Sequence, residues 1–339
     1  MRATIKDVSR EAGLSIKTVS RVLNKEPRVS DEARRRVLAA VELLNFRPSA
    51  AARSLVGHRT FQIALACDNP SPFYVYEMQS GIRERCQLDA VRMIAQPYDH
   101  RSDRLIDEIE SLIDTTGIDG LILTPPASDR QDVLDLLERR GVPYVRVQPA
   151  LEIGRSSAVM LDNRRAAEEM TRHLLALGHR RIGFVAGHPS YTASNLRLAG
   201  FEAALAGADC PPDPVLVREG NYDFASGAAA GEALLSLRDP PTAIFASNDE
   251  MAAGVLSVAH RRGLSVPRDL SVAGFGDDAV ASFVWPPLTT IRQPTRELGF
   301  QAADLLLAAP AEREWREVRY EMILRESTGR RAGGEERAA

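Results

Sequence analysis

Residues 4–24 read TIKDVSREAGLSIKTVSRVLN, and this stretch decides the character of the amino-terminal region. Thr4 followed by Asp7 is a capping box, and Ile5, Val8 and Ala12 recur on one helical face behind it. Gly13-Leu14 breaks the pattern. Ser15 is a second N-cap, and Ile16, Val19, Val22 and Leu23 follow at helical spacing. Two short helices joined by a glycine-containing turn make a helix-turn-helix. In that motif the second helix enters the major groove with its N-terminal residues against base edges. Ser15, Ile16, Lys17, Thr18, Ser20, Arg21 and Asn24 are therefore the expected DNA contacts, since hydroxyls, amides and cations suit phosphates and guanine edges. The competing reading is an ordinary helical pair with a solvated basic face.

Flanking residues separate the two readings. A third helix is expected behind Ser30, with Asp31 and Glu32 in its first turn and Val37, Leu38, Val41 and Leu44 as its apolar stripe. NFRPSAAARSL follows at 45–55. Pro48 favours an extended entry and Ser49 caps a possible helix over 50–56, too short to be stable alone and so suited to folding on DNA. The whole stretch from Thr4 to Leu55 resembles the amino terminus of the LacI/GalR family of bacterial transcription regulators. It does so in order and spacing: T-I-K-D-V, A-G-L-S, T-V-S-R-V-L-N, V-S, N-F-R-P and A-R-S-L. The resemblance implies a hinge segment that pairs with its dimer mate in the minor groove. Ser49 and Arg53 lie in that segment, and Leu55 matches the leucine that wedges open the central base step.

A chain of 339 residues implies two or three domains, and 44% hydrophobic with 26% charged residues is ordinary for a globular protein. The charge is divided unevenly. Residues 1–60 hold thirteen Lys/Arg against six Asp/Glu, a net +7, which leaves −10 on the remainder of a chain whose total is −3. A basic head on an acidic body fits a protein whose head alone meets phosphate. No apolar run approaches the ~20 residues of a membrane span, and MRATIKDVSREAG holds no export-type apolar segment, so a cytoplasmic protein without membrane contact is expected. Cys67, Cys86 and Cys210 are odd in number and lack metal-type spacing, which points to reduced thiols; no metal and no cofactor is expected.

From Phe61 onward short apolar runs (63–67, 91–96, 120–124, 144–148, 157–161, 182–187, 243–248, 271–275) alternate with amphipathic stretches (76–88, 104–115, 129–140, 165–177, 194–205, 250–262). Strand–helix alternation of this kind predicts doubly wound parallel sheets, and so many units predict two similar subdomains. LGHRRIGFVAG (177–187), RLAGF (197–201), ASNDEMAAGVL (246–256) and PPLTTIRQP (286–294) resemble the periplasmic-binding-protein-like core of the same family. The resemblance implies a helix-turn-helix head over 1–48, a hinge and linker over 49–60 and an effector-binding, dimerising core over 61–328. Within that core, subdomain one takes 61–158 and 293–318, and subdomain two takes 159–291 and 319–328. Residues 329–339, with no Leu, Ile or Val, are expected to be disordered and unable to form a leucine seam, which favours a homodimer over a tetramer.

The resemblance also implies a ligand cleft at the carboxyl ends of the strands. Its candidates here are Asn69, Tyr74, Thr124, Asn195, Arg197, Tyr222, Asn248, Asp249 and Asp277, although each also suits a structural cap. Two departures bear on it. Gly274-Phe275-Gly276-Asp277-Asp278 stands where the family commonly reads G-F-D-D, so the ligand-binding acid is displaced by one or lost. Asn195 stands where many members carry an arginine. Amides, carboxylates and aromatic rings together suit a polyol. The expected function is a repressor of carbohydrate-utilisation genes released from a palindromic operator by a sugar-like effector. The alternatives are a nucleoside- or purine-responsive corepressed regulator and a periplasmic-type solute-binding protein, against which the DNA-binding head argues. An enzyme is not expected: GFGDDA (274–279) mimics a dinucleotide fingerprint, but Pro286 and Pro287 leave little room for its helix, and neither G-x-S-x-G nor H-E-x-x-H occurs.

Overall fold

The capping box starts α1 (Ile5–Ala12): the Asp7 carboxylate accepts the Thr4 backbone N–H at 2.9 Å and the Thr4 hydroxyl at 2.7 Å. Gly13 closes the helix in the left-handed region. Ser15 caps α2 (Ile16–Leu23), its hydroxyl accepting from the Thr18 backbone at 3.1 Å, and Ser30 caps α3 (Asp31–Leu43) through the Ala33 N–H. Val8, Ala12, Val19, Val22, Val37, Ala40 and Phe46 pack into one small core. Leu38 is not in it. At 100° per residue it turns away from Val37 and is 52% exposed, while Ala40 fills the expected face.

A computed structural model describes residues 3–23, 29–46, 59–99 and 101–331. Its two units are Met1–Phe61, just described, and Gln62–Ala339. Asn24, Ser49, Arg53, Leu55 and most of the expected hinge lie outside the described residues.

The larger unit holds two six-stranded sheets. The first has the order β11-β5-β4-β3-β1-β2, with β1 (Gln62–Cys67), β2 (Arg92–Pro97), β3 (Gly120–Leu123), β4 (Tyr144–Val147), β5 (Ser157–Met160) and β11 (Trp315–Glu317), all parallel. The second has the order β12-β10-β9-β8-β6-β7, with β6 (Ile182–Ala186), β7 (Val217–Glu219), β8 (Ala243–Ala246), β9 (Ser271–Gly276), β10 (Thr289–Arg292) and the antiparallel edge β12 (Glu321–Ile323). Central strands such as β3, β6 and β8 are buried along their whole length, which is why they read as unbroken apolar runs. Helices α4 (Pro72–Leu88), α5 (Leu105–Thr116), α6 (Gln131–Arg140) and α12 (Thr295–Ala308) cover the first sheet on both faces. Helices α7 (Asn163–Ala176), α8 (Thr192–Ala206), α9 (Phe224–Leu235) and α10 (Asp249–Arg261), with the short α11 (Ala279–Phe283), cover the second. The chain crosses between sheets three times: from β5 to α7, from β10 to α12, and from β11 to β12.

Helices α9, α11 and α12 and strands β7, β10, β11 and β12 are not among the elements expected from the sequence. FASGAAAGEALL in α9 carries no polar stripe to mark a helical period, and β7, β11 and β12 are three-residue edge strands that hydrogen bonding alone defines. The tail expected to be loose from 329 is held at its start. Gly329 accepts from the His179 ring at 3.1 Å and donates to Ser271 Oγ at 3.0 Å, and the Arg331 N–H donates to the Leu177 carbonyl at 3.0 Å. Residues 332–339 lie outside the described residues.

Candidate nucleic-acid face and ligand cleft

On α2 the packing of Val19 and Val22 turns the remaining side chains outward. Ser15, Ile16, Lys17 and Arg21 are exposed, and Thr18 and Ser20 are half-exposed. The Thr18 hydroxyl pairs with that of Ser15 at 2.9 Å. Ile16, 45% exposed at the helix start, is an apolar side chain set among donors, the mixture that reads a thymine methyl beside hydrogen-bonding base edges.

In the larger unit a cleft opens at the carboxyl ends of the strands of both sheets. The first sheet supplies Asn69, Ser71 and Tyr74 after β1, Pro125 after β3 and Gln148 after β4. The second supplies Tyr191, Ala193 and Arg197 after β6, Tyr222 after β7, Asn248 after β8 and Phe275, Gly276 and Asp278 around the end of β9. Gln293 and Thr295 join from the crossover after β10.

Arg197 forms the floor. It is 5% exposed, stacks on the Phe275 ring at 3.6 Å and donates to Asn163 Oδ1 (2.9 Å), the Ser247 carbonyl (2.5 Å) and Gln293 Oε1 (2.8 Å). Burial among neutral acceptors holds its pKa below the ordinary arginine value. Tyr222 is in the left-handed region (φ 59°), its ring edge-on to Tyr191 at 5.4 Å. The ring lies so close over Gly187 that a Cβ there would meet Tyr222 Cζ at 2.1 Å. Asn248 caps α10 by accepting from the Met251 N–H at 3.0 Å, and its amide donates to the Tyr222 carbonyl (2.8 Å) and to Glu250. Its hydrogen-bonding atoms are thus committed to the wall, and it shapes the cleft chiefly by holding Tyr222. Ser71, the N-cap of α4, donates across the cleft to Glu250 Oε1 at 2.9 Å. Burial raises the Glu250 pKa to about 7.

Four expected ligand contacts lie elsewhere. Thr124 is fully buried and donates to the Ala66 carbonyl at 3.2 Å. Asn195 is exposed on the outer side of α8, where its amide donates to the Pro189 carbonyl at 3.1 Å. Asp249 is buried beneath the wall, accepting from Thr290 Oγ1 at 2.6 Å and from the Asp278 N–H at 2.9 Å, with its pKa raised by desolvation to about 7. Asp277 points away, held by Arg292 at 2.7 Å and Arg325 at 2.5 Å. The acid in the cleft is Asp278. Gly276 (φ 137°) and Asp277 (φ 57°) turn the chain after β9 so that the second carboxylate, not the first, faces inward. Burial and then the nearby Glu250 raise the Asp278 pKa to about 7. Ser71, Pro125, Gln148, Tyr191 and Gln293 line the cleft without being singled out by the sequence; each stands past a strand end, which is the one local signal they carry. The nucleotide-like GFGDDA leads only into the five-residue α11, too short to present a phosphate-binding helix end.

Comparison with known proteins agrees with both halves. A model described as "Bacterial regulatory proteins, lacI family" matches residues 4–49, and one described as "Periplasmic binding protein-like domain" matches 171–328. The HTH-type transcriptional repressor PurR of Photobacterium profundum is 34% identical over 331 residues, covering 96% of this chain and 98% of that protein. The chain belongs to the lacI family of bacterial regulatory proteins. Its fold matches the lac repressor dimer bound to operator and the anti-inducer ONPF, with a TM-score of 0.82, 28% identity and coverage of 97% of this chain and 100% of that one. It also matches a transcriptional regulator CelR–cellobiose complex, with a TM-score of 0.73, 29% identity and coverage of 96% and 100%. As a lacI-family member it is a DNA-binding transcriptional regulator rather than an enzyme. Among the described residues no helix is long and apolar enough to cross a membrane, and no group of three or more His, Cys, Asp or Glu is placed to hold a metal ion.

Proposed function

We propose that this regulator is a homodimeric repressor that binds a palindromic operator through α2 and a hinge containing Ser49, Arg53 and Leu55, and that a small sugar-like effector in the cleft releases it. The observation that carries the effector class is the pairing of Asp278, a carboxylate facing the cleft with no hydrogen bond from the described residues, with the rings of Tyr74, Tyr191 and Tyr222. A carboxylate accepts from paired hydroxyls while an aromatic face covers the C–H surface of a sugar ring. The cellobiose complex of the CelR neighbour supports the same class. Tyr76 and Leu88 on α4, and Phe283 and Trp285 after β9, are 62%, 72%, 80% and 73% exposed, apolar area of the kind that a second copy of the body covers.

The test is a thermal-shift panel of neutral sugars, amino sugars, sugar phosphates and nucleosides on the full chain, followed by operator release in a gel-shift assay. A ligand at 100 times its Kd stabilises by ~2.7 kcal/mol. A nucleoside that stabilises the chain and tightens operator binding would replace this reading with a corepressed one.

A further inference from the structure

We infer that Asn163, which does not line the cleft, is the positioning residue that fixes which way Gln148 and Arg197 face the effector. Hydrogen-bond polarity fixes the orientation of each side chain. An arginine only donates, so the atom of Asn163 that meets Arg197 Nε at 2.9 Å must be the carbonyl oxygen. The other end of the Asn163 side chain is then the amide nitrogen, and it donates to Gln148 Oε1 at 2.7 Å and to the Leu161 carbonyl at 3.3 Å. Gln148 is thereby obliged to turn its Nε2 away from Asn163 into the cleft that it lines. On the far side Gln293 Oε1 accepts from Arg197 at 2.8 Å, so its Nε2 also points away from the arginine.

One arginine thus sets the sense of a chain of amides running from Gln148 at the end of β4, through Asn163 just after the first crossover, to Gln293 on the second. The floor presents donors: two glutamine amides and the two Arg197 N–H groups left by its three protein bonds. Asp278, which also lines the cleft, presents acceptors when ionised. An effector is therefore read for direction, with oxygen lone pairs towards the floor and hydroxyl hydrogens towards Asp278. Asn163, 1% exposed, is the joint on which the Gln148 half of this pattern depends.

The inference rests on the reading of the cleft as the effector site, and Asn163→Asp tests it. A carboxylate at this position still accepts from Arg197, now as an ion pair, but offers Gln148 no donor, so Gln148 must rotate and present Oε1 to the ligand. Cellobiose, ribose and glucosamine are titrated singly against the full chain by calorimetry. For whichever binds, Asn163→Asp is expected to keep or raise the melting temperature while weakening binding about tenfold or more. Added to Gln148→Ala, it should cost little further affinity, because the group it misorients is already gone. A purely structural role would move melting temperature and affinity together.

Wild-type affinity in Asn163→Asp, or additive losses in the double variant, would overturn the inference while leaving the cleft reading intact. If none of the three sugars binds the wild-type chain, the sugar reading is overturned, and the polarity is still read without ligand. Nitrogen-15 spectra, with Gln148 assigned through Gln148→Ala, should show its side-chain amide shifting in Asn163→Asp, and an unmoved resonance would overturn the inference.

Discussion

Lys17 and Asp278 make opposite demands on their surroundings. Lys17 stands exposed on a short helix whose inner face is already committed to the head core, so its ammonium is available to a base edge. Lys17→Ala is expected to cost about 1–3 kcal/mol on the cognate operator and to alter base preference, measured by anisotropy on a set of single-base operator variants. An equal loss on cognate and random DNA would make it a phosphate contact. Asp278 is a carboxylate held beside Glu250 in a half-buried wall, and its pKa in the folded chain is raised to about 7 from an ordinary 3.8. The folded state therefore keeps its proton at pH values where the unfolded chain has released it. The resulting stabilisation is complete below about pH 4 and is lost as the pH rises through about 7. Asp249 and Glu250, raised to the same range, act with the same sign. Melting temperature should consequently fall between pH 5 and pH 8 from these groups. Asp278→Asn should flatten that slope and raise the melting temperature at pH 8. An unchanged slope would show that Asp278 is solvated in the folded chain.

At the scale of elements, helices of the larger unit meet in close pairs, and two glycines set the approach of two of them. A Cβ on Gly81 of α4 would stand 1.8 Å from the Arg296 carbonyl oxygen of α12. One on Gly254 of α10 would stand 2.4 Å from the Phe224 carbonyl oxygen of α9 and 2.5 Å from the Ala228 nitrogen. Backbone cannot yield as a side-chain tip does, so the helices must separate. Gly254→Ala is expected to lower stability by about 3 kcal/mol despite the better helix propensity of alanine, read from the urea midpoint of the full chain. An unchanged midpoint would mean that the α9–α10 contact has slack. Because Asn248, which holds Tyr222, is the N-cap of α10, the same variant should also weaken effector binding. The recognition element differs in kind: its two caps and its glycine act within one turn of chain and set its boundaries from neighbours in sequence, while the shared head core holds its short helices in place.

Across the whole molecule charge is segregated, with +7 on residues 1–60 and −10 on the rest. Operator affinity should therefore fall steeply with salt, by roughly 10³–10⁵ between 50 and 200 mM if a dimer neutralises 6–10 phosphates. Effector titration of the cleft, whose ionised groups are partly buried, should change little over the same range. A shallow operator slope in anisotropy titrations would mean far fewer phosphate contacts than this charge implies. The head and the alternation of the body were legible in residue order because their signals are local: caps one turn apart, glycine stops, and apolar runs that parallel strands buried on both faces require. Asn69, Tyr74, Arg197, Tyr222 and Asn248 were reachable only through the family resemblance, which implies a position for each in the cleft. Tertiary structure alone decided the remainder. Thr124 turns to Ala66, Asn195 faces outward, and Asp277 is drawn off by Arg292 and Arg325, leaving Asp278 in the cleft. Asn163 and Gln293 converge on one arginine from separate parts of the chain, and Gln148 joins them through Asn163. Spacing in a sequence states which way a side chain leaves its own helix or strand, whereas which of two adjacent acids meets a ligand depends on partners that only the folded chain brings within hydrogen-bonding distance.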